Sequence, residues 1–229
     1  MLGASAKMDF LKIIQSLDEL LYEVMSWLIF YPVTLWRTLV HPLKMMDYAD
    51  IELKDSRDEQ YLDTLSPPLF LLLTLILIHS IELTVVGENE LVRSNVGLKA
   101  LIKDDTSYIV FQALTYSLFP LVMATALVRK QGVGLDRNTL RAPFHGQCYL
   151  AAMLALGVSG SEVLFRYGTT WTTLAGLTLA LVTLLAYGLC QSFWFARHLD
   201  VSRLRGFWFA SRGMVVSLVV TGVIGSLIG

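Results

Sequence analysis

The chain has 229 residues, of which 55% are hydrophobic and 16% are charged, and its mean hydropathy is +0.58. A soluble domain carries about 25% charged residues, so this composition indicates a polytopic membrane protein. The formal net charge is −1, which offers no basic field to attract DNA or RNA, and we expect no nucleic-acid partner. Both cysteines, Cys148 and Cys190, lie in apolar runs, which predicts neither a disulfide framework nor a zinc site.

Residues 1–64 form a predicted N-terminal segment ahead of the first membrane span. From Phe10 to Leu28 the apolar residues recur every three or four positions, which predicts an amphipathic helix at the membrane interface. The run 24–40 is too short for a further span, because Pro32 interrupts it and Arg37 lies inside it. The helix either packs on its own membrane domain or docks a protein partner.

The N-terminal segment is acidic, with six basic and eleven acidic side chains. An anchor to anionic lipid normally uses Lys and Arg, so attraction to head groups is not expected here. Residues 47–63 hold the densest run of carboxylates and are predicted to be an acidic cytoplasmic linker. Such a run is either solvated or faces a basic surface of a partner.

Five stretches are long and apolar enough to cross a bilayer as helices, and together they predict an all-α integral membrane domain over residues 65–229. Ser66 is placed to cap the first of them, and Pro67 suits its first helical position. The predicted spans cover residues 67–86, 107–128, 147–165, 171–196 and 206–229.

The distribution of Lys and Arg predicts the orientation of the spans. Thirteen of these residues lie on the side of the N-terminus and four on the other side. We therefore expect a cytoplasmic N-terminus, cytoplasmic loops at 129–146 and 197–205, and a C-terminus on the opposite face. In a bacterium this topology implies the inner membrane.

Ionisable residues inside membrane helices are functional candidates, because burying them costs about 3 kcal/mol each on insertion scales. Glu82 and Glu162 lie near the ends of the first and third spans, at similar depth on the same side. At helical spacing, His79 neighbours Glu82 and Arg166 neighbours Glu162. Gln112 lies about one turn into the second span and completes the predicted polar cluster.

Three interpretations of this cluster stay open. It is a structural hydrogen-bonded network, a proton or cation pathway that uses Glu82 and Glu162, or a catalytic or metal site. The third has least support, because His79 and Glu82 supply only two ligands; we predict no metal, no cofactor and no catalytic residue. On the opposite side, snorkelling or a hydrogen bond to Gln191 explains Arg212 without any function.

Small residues recur at every fourth position of the last span. Such a stripe allows two helix backbones to approach closely, either within one molecule or between copies in a homo-oligomer. The stripe consists of Gly213, Ser217, Thr221, Gly225 and Gly229.

Two stretches, together with the layout, resemble the Yip-domain family of five-helix membrane proteins. WRTLVHPLKMM, residues 36–46, is similar to the helix and proline that precede the first span in bacterial members, and FHGQCYLAAM, residues 144–153, is similar to the entry into their third span. The resemblance implies a cytoplasmic N-terminal segment and a very short C-terminus. Eukaryotic members bind Rab GTPases and shape secretory membranes, whereas bacterial relatives are often labelled permeases; neither activity transfers to named residues here.

The sequence thus supports two functional hypotheses. The first is a non-enzymatic, Yip-like integral membrane protein that acts as a membrane scaffold or partner-binding subunit, in contact with membrane lipid and with a protein partner at the N-terminal segment. The alternative is a small oligomeric channel or permease with a polar pathway past Glu82 and Glu162.

Overall fold

The structure is a computed structural model that describes the backbone of residues 2–87 and 104–228 and the side chains of residues 16–87, 104 and 106–224. Within these ranges the chain forms seven α-helices and one short 3₁₀ helix, Arg57–Glu59, and no strands. In chain order the α-helices are α1 (Leu2–Val40), α2 (Pro42–Glu52), α3 (Pro67–Val85), α4 (Asp105–Gln131), α5 (Arg137–Tyr167), α6 (Thr170–His198) and α7 (Arg203–Ile228).

Five of the described helices, α3 to α7, are long and apolar enough to cross a membrane. The predicted fold, an all-α membrane protein with five spans after an N-terminal helix, is confirmed. The predicted loop between the first two spans, with Arg93, Lys99 and Lys103, lies outside the described residues.

The third span begins ten residues earlier than predicted, because α5 starts at Arg137 and includes most of the predicted loop 129–146. Asp136 caps this helix through its carboxylate, which accepts hydrogen bonds from the backbone N–H groups of Asn138 and Thr139. A side-chain cap of this kind satisfies N–H groups that have no partner within the helix. The apolar pattern alone does not reveal these polar first turns.

Helix α5 is the centre of the bundle and packs against α2, α3, α4 and α6, while α7 packs against α4 and α6. Its membrane segment is 61% buried, compared with 17% for α6 and α7. The reason lies in its small buried side chains, which let several neighbouring helices approach at once. These are Gly146, Ala151, Ala152, Ala155, Gly157, Ser159 and Ser161.

The start of the small-residue stripe on α7 faces α4 of the same chain. A Cβ atom added to Gly213 would lie 2.6 Å from the Sδ atom of Met123, so no larger residue fits there without a shift. Ser217 is fully buried. Gly213 and Ser217 therefore serve helix packing within one molecule rather than contact between copies. Gly229 lies outside the described residues, as do the surroundings of Gly225.

Helix α1 runs through Pro32 without interruption, so the prediction that this proline breaks the helical run is wrong. A proline removes one backbone donor, and the hydrogen bonds on either side of it hold the helix together. The C-terminal part of α1 is anchored on α3 and its approach: the Leu65 N–H donates to Thr34 Oγ1 at 3.0 Å, and the Tyr31 hydroxyl donates to Thr74 Oγ1 at 3.2 Å.

The acidic linker is folded onto the bundle, and three of its carboxylates lie next to basic side chains of the same chain while staying partly exposed. Asp47 forms an ion pair with Arg197, and Asp50 Oδ2 lies 3.6 Å from His198 Nε2. The Asp63 carboxylate accepts hydrogen bonds at 2.7 Å from Tyr48 and Arg37, which hold its pKa below the usual value. The opposite charges that these residues need are supplied by their own chain.

Helix α2, whose second half belongs to this linker, packs closely on α5. A Cβ atom added to Gly146 would lie 3.2 Å from the backbone oxygen of Met46, and the Met46 side chain is fully buried. The two stretches that resemble the Yip-domain family, residues 36–46 and 144–153, therefore meet at this contact. The linker, α2 and the adjoining ends of α5 and α6 lie at the same end of the bundle.

Candidate functional site

The structure places the residues of the predicted polar cluster at one end of the bundle. Arg166, in the last turn of α5, forms an ion pair with Glu82 near the end of α3. Arg166 is also close enough to Glu162, four residues earlier on α5, for its charge to act on that carboxylate. Because α3 packs directly on α5, the long arginine side chain reaches across to the buried carboxylate of the neighbouring helix.

Glu82 is enclosed at this end of the bundle. It is only 4% exposed, and its Oε2 atom lies 4.0 Å from Nδ1 of His79, which is 2% exposed. The imidazole of His79 in turn contacts the ring of Tyr108 on α4, with the ring centroids 5.0 Å apart. The prediction that His79 neighbours Glu82 is confirmed, and the arrangement is that of a buried, paired charge.

Glu162 and Gln112 line an adjoining feature, a partly open cavity of about 320 Å³ between α4, α5, α6 and α7. Tyr108 separates it from the Glu82 ion pair, so the two features adjoin. The remaining walls are largely apolar and aromatic. They are formed by Phe111, Thr115, Tyr116, Phe119, Leu154, Val158, Ser159, Leu184, Tyr187, Met214, Leu218 and Thr221.

Several polar atoms of this cavity lack a protein partner. The Oε1 atom of Gln112, whose residue is 8% exposed, and the Oγ1 atom of Thr221 are buried without a hydrogen bond. Glu162 differs from these two residues because it is exposed; within the part of the chain that the structure describes, its carboxylate forms no hydrogen bond or ion pair. Buried polar atoms are usually satisfied, so unpaired ones that converge on a cavity mark a place for water or a ligand.

Two hydroxyls on the cavity wall are satisfied by each other, with Tyr116 Oη and Ser159 Oγ 3.1 Å apart. Tyr108, Tyr116, Ser159 and Thr221 were not among the predicted polar-site residues. Thr221 was visible only as a member of the small-residue stripe. Ser and Thr in such a stripe allow close helix packing and also offer a hydroxyl group to the neighbouring helix. The hydroxyl of Thr221 is therefore the sequence signal that could have identified it.

Toward the α2 end of the bundle the cavity is closed by packed side chains. Phe119, Leu154 and Tyr187 belong to a buried apolar cluster that continues through Met123, Leu150 and Trp194. Beyond them, the fully buried amides of Gln147 on α5 and Gln191 on α6 hydrogen-bond to each other. Gln191 is therefore not the partner of Arg212. Among the described residues, no group of three His, Cys, Asp or Glu side chains is placed to hold a metal ion.

The N-terminal half of α1 carries a second candidate surface. Its apolar side chains are exposed to between 39% and 68%, and the described residues of the chain do not cover them. Among the described side chains of α1, packing on the membrane domain involves Trp27, Phe30, Tyr31 and Leu35. We call the exposed patch the α1 surface; it comprises Leu17, Leu20, Leu21, Val24, Met25, Leu28 and Ile29. The side chains of the predicted positions before residue 16 lie outside the described residues.

Within the described residues, fold and sites together define an all-helical integral membrane protein with a largely apolar cavity that a few polar side chains line, and with an N-terminal helix whose apolar side chains are partly exposed. No family model, curated protein or solved structure matches this chain.

Proposed function

We propose that this protein is a non-enzymatic, Yip-like membrane scaffold or partner-binding subunit, and that the α1 surface is its docking element for a protein partner. The observation that carries the proposal is the exposure of the α1 surface next to a firmly anchored helix end. In contact with water, soluble monomers rarely leave a contiguous apolar surface of this kind uncovered, and α1 is not one of the five helices that are long and apolar enough to cross a membrane.

The charges beside the α1 surface favour a protein over a lipid head group. Asp18, Glu19 and Glu23 flank the apolar side chains, and the first basic residue toward the C-terminus is Arg37. An anionic membrane surface repels such a helix, and so does a second copy of it. An apolar groove with basic residues at its rim is complementary in both shape and charge, which is the helix-in-groove mode of recognition.

Photo-crosslinking tests this proposal. A photoreactive amino acid at Leu21, Met25 or Leu28 is expected to give a discrete protein adduct in native membranes, and the purified complex is expected to exceed the mass of one chain. Leu21→Ser/Met25→Ser/Leu28→Ser should abolish the complex with little effect on folding, because the three side chains are exposed. A photoreactive group at the bundle position Leu181, which is also exposed, is the matched control. Adducts with lipid alone, or a monomeric wild-type protein, would contradict the proposal.

A specific observation favours a second candidate, a small permease or oligomeric channel that binds its substrate in the cavity. Glu162, Gln112 and Thr221 offer unpaired oxygen atoms to a proton-carrying or cationic species inside an otherwise apolar bundle. Glu82 contributes through its position beside the cavity, since Arg166 neutralises its charge.

Flux measurements on protein in liposomes test this second candidate. Uptake of protons or monovalent cations above that of empty vesicles is expected, with a loss in Glu162→Gln and no change in Glu19→Gln, an exposed carboxylate on α1. Equal flux through wild-type protein and Glu162→Gln would remove Glu162 from the pathway. No flux above empty vesicles would reject transport of these ions.

A further inference from the structure

A groove between α4 and α7, at the end of the bundle where α2 lies, is distinct from both features considered above. It has a volume of about 620 Å³, and α6 contributes Phe195 to its wall. Three cations line it: Arg129 and Lys130 from the last turn of α4, and Arg212 from α7. The other lining residues are Leu121, Val122, Thr125, Ala126, Phe195, Phe209, Gly213 and Val216.

The charges of this groove are not compensated by the protein. No Asp or Glu lines it, and the three cations form no ion pair or side-chain hydrogen bond with any residue that the structure describes. The Lys130 ammonium lies 4.6 Å from the centre of the Phe209 ring, which holds it over the groove. In contrast, Arg37, Arg166 and Arg197 each pair with a carboxylate.

Arg212 lies within a helix that is long and apolar enough to cross a membrane, nine residues or about 14 Å after the first residue of α7. A guanidinium within such a helix is costly unless it reaches the interface or meets an anion. Arg129 and Lys130 line the same groove, so an anion at this end of the bundle is within reach of all three cations. Arg129 and Lys130, by comparison, also stabilise the C-terminus of α4, where carbonyl groups lack partners.

We propose that this groove binds an anionic phospholipid, with its phosphate held by Arg129, Lys130 and Arg212 and an acyl chain lying along the apolar side chains toward Val216. Both parts of the groove are needed for this assignment. A cluster of cations at the rim fits a phosphate, and the apolar floor between two membrane helices fits a hydrocarbon chain. A free phosphate leaves the apolar floor uncovered, and a neutral lipid leaves three cations unpaired.

The proposal is tested on the full chain in detergent by native mass spectrometry after incubation with equal amounts of phosphatidylglycerol and phosphatidylcholine. Wild-type protein is expected to retain phosphatidylglycerol preferentially. Arg129→Gln/Lys130→Gln/Arg212→Gln should reduce this preference about tenfold or more, the scale set by the attraction of near-surface cations to anionic lipid. Val216→Trp keeps the cations but fills the apolar floor, and it should also weaken retention.

The matched control is Lys54→Gln/Arg137→Gln/Arg205→Gln, which changes the net charge equally at exposed positions outside the groove. It should retain lipid as the wild type does, and circular dichroism checks that all variants remain helical. Equal retention by the groove variant and the control would overturn the proposal, and so would equal retention of both lipids by wild-type protein. Glycerol 3-phosphate should not displace the lipid; displacement would show that a free phosphate ester suffices and would overturn the lipid assignment.

Discussion

The two carboxylates of the polar cluster, Glu82 and Glu162, lie at the same end of the bundle and have opposite surroundings. Glu82 is buried against Arg166 and His79, whereas Glu162 is exposed and lines a pocket in which the Gln112 and Thr221 side-chain oxygens have no partner among the described residues. In a medium of low dielectric constant, pairing decides whether a charge holds helices together or remains available to a ligand. Two glutamates at the same end of the bundle can therefore have different surroundings. The packing of the helices decides which of them meets the arginine of a neighbouring helix.

The largest effect is expected from Arg166→Gln, which leaves the buried carboxylate of Glu82 without its cation. Removing one partner of a fully buried ion pair costs about 3 to 5 kcal/mol; because the Arg166 side chain is 27% exposed, we expect a loss of about 2 kcal/mol here. Thermal unfolding in detergent should show a large fall in the midpoint temperature. Glu82→Gln/Arg166→Gln should recover part of this loss, because it removes both charges. A single variant as stable as the wild type would show that the pair is not structural.

A smaller loss is expected where a neutral pair joins two helices. Gln191→Leu leaves the buried amide of Gln147 without its reciprocal hydrogen bonds, at a cost of about 1 to 2 kcal/mol. Unfolding measurements on both single variants and on Gln147→Leu/Gln191→Leu give the coupling energy directly. If the double variant loses as much as the two single variants together, the amides act independently.

A pair at the edge of the bundle should contribute less and should depend on pH. The pKa of Asp63 is lowered by its hydrogen bonds with Tyr48 and Arg37, so the folded state favours the ionised form. Its stabilisation is therefore present above the ordinary value of 3.8 and is lost as pH falls through the lower folded pKa. Exposed pairs of this kind contribute about 1 kcal/mol or less. Asp63→Asn should reduce the acid sensitivity of unfolding between about pH 5 and pH 2; an unchanged profile would contradict this assignment.

The smallest change in stability is expected for Glu162→Gln. The carboxylate has no ion pair to lose within the described structure, and glutamine has nearly the same volume, so unfolding should shift by about 0.5 kcal/mol or less. The comparison with Arg166→Gln separates a structural charge from an available one. A loss as large as that of Arg166→Gln would place Glu162 in the structural class.

The number and order of the spans could be predicted, because hydrocarbon thickness fixes the length of apolar sequence that a helix needs. The shared end of Glu82 and Glu162 followed from alternating topology. The pairing of Arg166 could not be predicted, since local spacing favoured Glu162 while the contact between α3 and α5 favoured Glu82. The folding of the acidic linker was missed for a similar reason: Arg197 and His198 lie about 150 residues away along the chain.

The close contact between Gly146 and Met46 has a mechanical consequence. Helix α5 is continuous from that contact to Glu162, a distance of sixteen residues or about 24 Å. Helix α2, which follows α1, thus packs on one end of this continuous helical segment, and the other end of the segment forms a wall of the cavity. A partner that displaces α1 and α2, and a molecule that enters the cavity, would therefore act on the same helix. A bulkier residue at position 146 should push α2 away from α5 and weaken this connection.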